Sequence, residues 1–495
     1  MAAYNETPPN TGASLSAMSA SDIRTIWQKT VDFFEQTEDF FEQFEGKTMA
    51  SPIWEKTETE KGAGQSMRIT VRSGYYGEGK SGDALFETTA DYESVLINGY
   101  NLQVDWLRNA TSFNERMEEV MGMRGEIESG DAEELGKWMG RAKTARVMML
   151  FRELGGSENI SYAGGNLDED SIVSANGINW DEIVTGKAQL EPLGGRPAKV
   201  GRVNGNDVYR YLVIGTVPGL STLKTDPDYK QALREAGVRG DGNQLFEGGY
   251  VDVDGNFIKA YNPIDHDGRG PVGSAWNPKA FLGAAITAGT AAIDITGGGD
   301  ATAAAETNKL YFKFFPNYAF ELSAASGDTV TAGTATKYFL IVNPRSGSGG
   351  DGKIGMYSYT TGNNGNKITI TGRLGSAASG IRATTLGSVT WDTGVWSGKH
   401  TDAHPIGATV IPCNAKGVPI GDTCILGAGA ALRGYGKYRN HRSQEQVNGG
   451  FVTRRYISSV FGQALRKDRK LRAPGFLRIR HAINYAGLGV PAVAA

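Results

Sequence analysis

The fold is decided by KGAGQSMRITVRSGYYGEGKSGDALFETTADYESVLINGYNLQVDW (residues 61–106) together with NERMEEVMGMRGEIESGDAEELGKWMGRAKTARVMMLFREL (residues 114–154). In the first segment, Met67, Ile69 and Val71 alternate with polar residues, which is the period of a half-buried strand. A glycine-dense loop, 74–82, follows, and a second strand is expected to return through Val95, Ile97 and Leu102. The segment therefore predicts a long antiparallel hairpin.

The second segment predicts a long helical run in two parts. The first part has one apolar face formed by Phe113, Met117, Val120 and Met121. We expect Ser129-Gly130-Asp131 to interrupt it, with Asp131 and Glu134 forming a capping box. The second part carries an apolar stripe at helical spacing, consisting of Leu135, Trp138, Met139, Ala142, Ala145 and Met149. Gly155-Gly156 is expected to end it.

The hairpin loop matches the phosphate-binding pattern G-x-x-x-x-G-K-[ST] from Gly74 to Ser81. In a nucleotide hydrolase, Lys80 would hold the terminal phosphates and Ser81 would ligate magnesium at the start of a helix. Gly82-Asp83 interrupts that helix at once, and repeated strand–helix alternation is missing. A solvated hairpin tip is therefore the favoured interpretation, and the nucleotide hydrolase stays an alternative.

The composition of the chain limits the classes of protein to which it can belong. A chain of 495 residues predicts two to four domains, and 68 glycines favour strands and loops over a helical bundle. Two cysteines, Cys413 and Cys424, cannot form a disulfide framework, which fits a reducing cytoplasm. The N-terminus does not have the pattern of a signal peptide, and no segment is apolar enough to span a membrane.

Charge is distributed unevenly along the chain. Residues 21–60 contain ten acidic and four basic side chains, a net charge of −6, whereas residues 432–481 contain two acidic and thirteen basic ones, a net charge of +11. This separation of charge suits a protein whose surfaces bind copies of itself or a polyanion. The alternative is that the charged residues simply lie on faces exposed to solvent. The acidic region also carries an aromatic stripe ending in Phe40, Phe41 and Phe44, which needs its own domain or a neighbouring subunit to cover it.

The middle of the chain changes from mixed to β-rich. DVYRYLVIG from Asp207 predicts a buried strand, Asp226-Pro227 a helix start, and Asp254-Gly255 a hairpin turn. DVDGN from Asp252 resembles the start of a calcium loop, but Pro263 stands where the bidentate Glu belongs. From Asn277 to about Pro412 short strands predominate, with a hairpin turn at Asn364-Gly365, which predicts a separate all-β module.

We predict no catalytic, cofactor-binding or metal-binding site. His400, His404, Cys413 and Cys424 have poor zinc-ligand spacing, and the carboxylates show no catalytic pairing. A second alternative is non-specific DNA binding by the basic C-terminal region, where aromatic residues interleave with arginines. These residues are Tyr435, Tyr438, Arg439, Arg442, Phe451, Arg454, Arg455, Tyr456 and Phe461. The same arginines could instead meet the acidic N-terminal region of an adjacent subunit.

Several segments in order resemble the major capsid proteins of tailed bacteriophages, in particular those of short-tailed phages of the N-four type. They are the aromatic N-terminal arm, KGAG with its alternating strand, GEGKSGDALFE from Gly77, the long helical run, NDVYRYLVIGTVPGLSTLKTDPDYKQALREA from Asn206, and LFEGGYVDVDGNFI from Leu245. The resemblance covers residues 20–275 and 420–490. The β-rich stretch between them is not expected of the minimal family and is interpreted as an insertion.

The resemblance implies an α+β fold, the tailed-phage major capsid fold with an inserted all-β domain. The implied parts are an N-arm at 1–52, an E-loop at 53–108, a P-domain spine helix at 109–160 with its helical run from Thr111 to Leu154, an A-domain and P-domain part at 161–276, the insertion at 277–412, and a C-terminal A-domain and P-domain part at 413–495. Burial of Phe40, Phe41 and Phe44 across subunits would then contribute much of the assembly energy.

The resemblance also implies a structural, non-enzymatic function. The chain would self-assemble into pentamers and hexamers of an icosahedral shell that encloses double-stranded DNA. Implied partners are scaffolding and portal proteins, a decoration protein, and genomic DNA bound non-specifically on the inner face. The location would be the virion, after assembly in the host bacterial cytoplasm.

Overall fold

The structure is a computed structural model, and the residues that it describes are Phe33, 38–72, Lys80, Ser81, Tyr92, 97–114, 124–153, 157–203, 206–231, 251–253, 255–261, 280–281, 292–294, 336–342, 354–360, 367–374, 385–386, 389–390, 408–414, 416–437, Arg439, 441–447, 452–468 and 472–483. The chain forms two compact units. Unit 1 consists of residues 1–147 and 431–472, and unit 2 of residues 148–430 and 473–495.

The described strands of unit 1 form one larger sheet and one hairpin. The sheet contains β1 (Glu45–Gly46), β2 (Ile53–Thr57), β20 (Ala431–Tyr435), β22 (Val452–Leu465) and β21 (His441–Val447) in that order, and β5 (Asp105–Asn114) also pairs with β22. The hairpin consists of β3 (Ser66–Arg72) and β4 (Ile97–Gln103), which are antiparallel with Arg72 opposite Ile97. The predicted hairpin is thus confirmed at its base, whereas Val95 and most of the loop lie outside the described residues.

Alternation along β20 and β22 gives the unit 1 sheet two different faces. Leu432 and Val460 belong to an apolar cluster with the hairpin residues Met67 and Leu102. Arg433, next to Leu432 in the strand, is instead bonded to N-terminal carboxylates. Because successive side chains of a strand point to opposite faces, the hairpin covers one face and the N-terminal segment covers the other.

One long helix, α1 (Arg124–Glu153), corrects the predicted helical run. It passes through Ser129-Gly130-Asp131 without a break, so the predicted interruption and the capping box at Asp131 are wrong. The predicted start near Thr111 is also wrong, because β5 continues to Asn114 and pairs with the full first part of β22. The second apolar stripe is confirmed: Leu135, Met139, Ala142 and Ala145 are buried, while Gly155-Gly156 lies outside the described residues.

Unit 2 contains a mixed sheet packed against a short helix. The sheet order is β6 (Ile160–Tyr162), β23 (Phe476–Ala482), β19 (Ile420–Leu426), β8 (Asn206–Thr216), β10 (Asn256–Tyr261) and β9 (Val251–Val253), and β7 (Ala198–Val203) also pairs with β8. The helix is α2 (Trp180–Leu190), capped by the side chain of Asn179. Its residues Ile183 and Leu190 are buried in one core with Val213, Ile425 and Ile479 of the sheet.

Three local predictions in unit 2 are confirmed. Residues 211–214 of β8 are buried, as the DVYRYLVIG pattern indicated. Asp226 accepts a hydrogen bond from the Asp228 N–H at 3.0 Å and so caps the helical turn that begins at Pro227. Strands β9 and β10 pair antiparallel around Gly255, whose φ of +73° is a conformation that favours glycine.

A second sheet of unit 2 is built entirely from residues 280–413. Its order is β11 (Ala280–Phe281), β18 (Thr409–Cys413), β13 (Thr336–Val342), β14 (Ile354–Thr360), β15 (Lys367–Leu374) and β12 (Ala292–Asp294). A separate ribbon pairs β16 (Thr385–Leu386) with β17 (Val389–Thr390). All described elements of this region are strands, and β14 and β15 pair antiparallel on either side of Asn364-Gly365, which lies outside the described residues.

Candidate functional site

The base of the hairpin is anchored on the unit 1 sheet by apolar packing. We call β3 and β4 the hairpin root. Met67, Ile69 and Leu102 of the root are buried, while Arg68 and Thr70 between them are exposed. They form one cluster with Val104, Leu432 and Val460, against which Trp54, Ala63, Tyr100 and Ala464 also pack. The alternation in the sequence therefore correctly identified the face of β3 that packs inward.

Two glycines allow the hairpin root to approach the sheet closely. Gly434 of β20 and Gly462 of β22 lie directly opposite each other in the strand register. A Cβ atom on Gly462 would lie 2.1 Å from the backbone oxygen of Gln103, and one on Gly434 would lie 2.5 Å from Leu102 Cδ2. Any side chain at Gly462 would thus push the backbone of the root away from the sheet. This feature was not predicted, since nothing near either glycine in the sequence indicates a crossing strand.

The phosphate-binding pattern gains no support from the described part of the hairpin loop. Lys80 and Ser81 are exposed and lie outside any helix or strand. A phosphate-binding loop needs both residues at the N-terminus of a helix, because the helical N–H groups hold the phosphates. Residues Gly74–Gly79 lie outside the described residues.

The second attachment to the unit 1 sheet is a segment that we call the N-terminal strap, residues 38–46. Phe41 is fully buried and Phe44 is 4% exposed, and the ring of Phe40 contacts both at centroid distances of 5.2 and 5.8 Å. The aromatic residues are thus covered by their own chain. The expectation that Phe41 and Phe44 supply assembly energy by burial between subunits is therefore wrong, because they have no apolar surface left to bury.

Buried hydrogen bonds join the strap to strand β20 and to helix α1. The Arg433 side chain is fully buried, and its Nη1 donates to Asp39 Oδ2 at 2.6 Å and to Glu45 Oε2 at 3.2 Å. On α1, the hydroxyl of Thr144 donates to Asp39 Oδ1 at 3.0 Å and accepts the Phe40 N–H at 3.1 Å. The strap is therefore bound to both the sheet and the helix of unit 1.

Arg439, which is partly exposed, and the buried side chains of Tyr435 and Lys143 surround this pair. Arg439 donates to Glu42 of the strap, lies 3.5 Å from Glu55 Oε1, and stacks over the Tyr435 ring at 4.5 Å. The ammonium of Lys143 lies 5.1 Å from the centre of the same ring on the α1 side. Cations over the face of an aromatic ring are attracted by its quadrupole, so Tyr435 helps to hold both cations in place.

The crowding of carboxylates shifts the pKa of Glu45. Burial raises the pKa of Glu45 from 4.5 to about 8, against the opposing effect of Arg433, and the nearby carboxylates of Glu42 and Asp39 raise it further. The pKa of Arg433 is lowered by burial, but Asp39, Tyr435 and Glu45 raise it more, so the net shift is upward and Arg433 stays charged. At neutral pH, Arg433 therefore faces a mostly protonated Glu45.

The uneven charge distribution is partly balanced within one chain. Arg433 and Arg439 contact Asp39, Glu42 and Glu45, which belong to the acidic region identified in the sequence. These two arginines therefore pair with carboxylates of their own chain and do not require those of an adjacent subunit.

Several further arginines of the C-terminal region are also paired with carboxylates. Arg455 is 3% exposed and its Nη1 lies 2.5 Å from Asp131 Oδ2 on α1. In unit 2, Asp422 lies 3.9 Å from Arg478 Nε and 3.2 Å from Arg480 Nε, and Arg480 also contacts Glu169. These pairs reduce the positive charge that the region could offer to a polyanion.

The aromatic residues proposed for DNA stacking do not form one exposed surface. Tyr435 is fully buried and Phe461 is 2% exposed, so neither ring can stack on a base. The Tyr456 hydroxyl donates to Glu445 at 3.0 Å. Tyr438 and Phe451 lie outside the described residues, and Arg454 is exposed. The described residues thus favour a structural role for this region over the stacking platform.

The candidate metal ligands are not brought together in the part of the chain that the structure describes, where no group of three metal-ligating side chains occurs. Cys413 and Cys424 are buried thiols whose pKa is raised by burial. His481 is also buried: its Nδ1 donates to the Ala482 carbonyl oxygen at 3.0 Å and its Nε2 lies 2.9 Å from the Thr423 hydroxyl. His266, His400 and His404 lie outside the described residues.

Among the described residues, none of the helices combines the length and the hydropathy needed to cross a membrane.

The chain resembles known proteins in its fold and not in its sequence. No family model matches the chain, and no curated protein does. Among solved structures, the capsid of Ralstonia phage GP4 matches with a TM-score of 0.50 and 12% identity over 97% of this chain and 98% of that one. The head of Helicobacter pylori bacteriophage KHP40 matches at 0.49, with 13% identity over 90% and 91%, and the capsid of cyanophage Pam1 at 0.49, with 8% identity over 90% and 92%. The chain therefore shares the fold of the Ralstonia phage capsid protein.

Proposed function

We propose that this chain is a structural protein, the major capsid subunit that tiles the icosahedral head of a tailed bacteriophage. One observation carries the proposal: the fold of the Ralstonia phage GP4 capsid protein extends over almost the whole of both chains. The order of segments in the sequence, which resembles phages of the N-four type, supports the same function independently. Among the described residues there is no group of three metal-ligating side chains.

The elements of unit 1 suit the parts of such a subunit. We assign the strap to an N-arm at 1–52, the hairpin root to an E-loop at 53–108, and α1 to a spine helix at 109–160. We assign 161–276 and 413–495 to the A-domain and the remaining P-domain. The separate sheet of residues 280–413 supports an inserted β-rich domain at 277–412, since its named strands form a sheet of their own.

The hairpin supplies a mechanism for contact between subunits. Its root is held by Met67, Leu102 and the close approach over Gly462, so its direction is set by its own chain. The segment between the two strands, 73–96, is then the part that contacts a neighbouring subunit. Its described residues Lys80, Ser81 and Tyr92 are exposed, and Tyr92 has 63% of its surface accessible. An exposed aromatic side chain is a suitable anchor for a protein interface.

The proposed partners follow from the shell. Copies of the chain would form pentamers and hexamers, and scaffolding and portal proteins would guide their closure in the host cytoplasm. Genomic DNA would face the inner surface without sequence specificity, and a decoration protein would bind outside. The final location would be the virion.

Electron microscopy and sedimentation of the purified full-length chain test the proposal, with and without its scaffolding protein. We expect rings of five or six subunits, tubes or closed shells. The matched control replaces residues 73–96 with Asn-Gly, because Arg72 and Ile97 are paired and a two-residue turn can connect them. This variant should fold and remain unassembled. A wild-type chain that stays monomeric with scaffold present, or a control that assembles equally well, would contradict the proposal.

A further inference from the structure

We propose that the N-terminal strap is a proton-controlled latch, which protonation of Glu45 keeps closed on the unit 1 sheet and deprotonation opens. The latch would be a property of the single chain and does not depend on the proposed capsid function. It would decide whether residues 38–46 stay bound to β20 and α1, and through β1 to β2, or become available to leave them.

The geometry places more negative charge around Arg433 than one guanidinium can balance. Arg433 Nη1 already has Asp39 Oδ2 at 2.6 Å, and Glu45 Oε2 lies 3.2 Å from the same nitrogen. The side chains of Asp39 and Glu45 are 2% and 3% exposed, so water screens neither. A second full carboxylate charge here would be a buried charge without a cation of its own, which is costly in the protein interior.

Glu45 is the member of the pair that is suited to carry the proton. Its Oε1 is buried and accepts no hydrogen bond within the described geometry, its Oε2 accepts a long one from the Tyr435 hydroxyl at 3.4 Å, and a hydrogen bond with the Glu42 carboxyl contributes to its raised pKa. Asp39 instead accepts hydrogen bonds from Arg433, the Thr144 hydroxyl and the Phe41 N–H, so both of its oxygens have donors. Burial therefore raises the pKa of Glu45, to about 8, with Arg433 opposing the shift and Glu42 and Asp39 adding to it.

Every packed element contributes charged or titratable groups around Glu45. From the strap these are Asp39 and Glu42, from β20 Arg433 and Tyr435, from the following loop Arg439, from β2 Glu55, and from α1 Lys143. Glu42 and Glu55 both lie within ion-pair distance of Arg439. Arg439 is thus shared between carboxylates already, and it cannot fully neutralise Glu45 as well.

The direction of the effect follows from proton linkage. A released strap exposes Glu45 to water, where its pKa returns to about 4.5, whereas the bound strap holds a pKa of about 8. Between these values the bound state holds a proton that the released state does not. Binding of the strap is therefore strongest near and below pH 4.5, weakens as the pH rises through the interval, and reaches its minimum above pH 8.

Hydrogen exchange of the full-length chain measures the latch directly, with mass spectrometry of peptides that cover residues 38–46 and correction for the intrinsic exchange rate. The Phe40 amide reports closure directly, because it donates to Thr144 of α1, while the Phe41 and Phe44 amides, which donate to Asp39 and to the Phe41 carbonyl, report the order of the strap itself. We expect protection in the wild type to fall by roughly tenfold or more between pH 6 and 8.5, at no more than about tenfold per pH unit, and then to level off.

Two variants assign the effect to Glu45. Glu45→Gln keeps the shape of the protonated side chain without its titration, so protection of the strap should become independent of pH. Glu58→Gln is the matched control, because Glu58 pairs with Lys56 at 2.6 Å outside the Arg433 cluster, and it should behave like the wild type. Constant protection in the wild type, or an equal fall in the wild type and Glu45→Gln, would overturn the latch. The wild-type slope stands as evidence even if Glu45→Gln is poorly folded.

Discussion

The strap and the hairpin root are attached to the same unit 1 sheet by opposite kinds of contact. On one face, the strap is held by a buried ion pair of Arg433 with Asp39 and a hydrogen bond from Arg433 to Glu45, beside the buried rings of Phe41 and Phe44. On the other face, the root is held by Met67 and Leu102 packed over glycines. Neighbouring residues of β20 make the two kinds of contact: Arg433 bonds to the strap, and Leu432 packs against the root.

The two attachments differ in how strongly pH and salt can weaken them. Apolar burial depends little on pH or salt, since no group changes its charge. A buried ion pair depends on the protonation of every member, and losing one partner leaves the others uncompensated. The root is thus suited to hold its direction under all conditions, and the strap is suited to respond to them.

Of these variants, Arg433→Met should have the largest effect, because it should weaken the attachment of the strap far more than that of the root. It leaves Asp39 buried without its cation, and we expect the strap to lose about 3–5 kcal/mol of its free energy of opening. Native-state hydrogen exchange of the Phe40 and Phe44 amides measures the loss, and the β3 and β4 amides should change far less. The double variant Arg433→Met/Asp39→Asn removes the stranded charge, so it should regain at least about 1 kcal/mol. Equal losses in strap and root would show that the two attachments are not separate.

Gly462→Ala should disturb the opposite face. The new Cβ would lie 2.1 Å from the Gln103 backbone oxygen, so the root must move, and we expect it to lose about 1–3 kcal/mol. Exchange of the β3 and β4 amides reports the change. Gly201→Ala in β7 is the matched control, because no atom lies within 4 Å of its added Cβ, and it should stay within about 0.5 kcal/mol of the wild type. A root that tolerates Gly462→Ala would refute the close approach.

Gly130→Ala should have the smallest effect, and its sign is opposite. Gly130 lies inside α1 with nothing within 4 Å of an added Cβ, so alanine should stabilise the helix by about 0.5–1 kcal/mol. Exchange of the α1 amides, or the urea midpoint of unit 1, measures the gain. Gly64→Ala is equally open in space but has a φ of +79°, so it should destabilise the chain. A loss at Gly130 would restore the interruption that the sequence first indicated.

Several predictions that rested on short-range patterns were confirmed, although the break at Gly130 was not. The alternation of Met67 and Ile69, the cap at Asp226 and the turn at Gly255 each depend on residues only a few positions apart. The predicted break at Gly130 was wrong because packing of α1 against the sheet outweighs the weak helix propensity of one glycine. Residues 111–114 were assigned to a helix although they form the end of β5, whose partner β22 lies far along the chain.

The periodicity of the hairpin, the buried strand that begins at Asp207 and an order of segments that resembles tailed-phage capsid proteins can be read from the sequence alone. The contact of Arg433 with Asp39, 394 positions away, and the position of Gly434 and Gly462 under the hairpin root are seen only in the folded chain. The physical reason is that periodicity records which face of an element avoids water, whereas the identity of the covering group depends on how distant strands are paired. The charge asymmetry was therefore visible in the sequence, and its pairing was visible only in the fold.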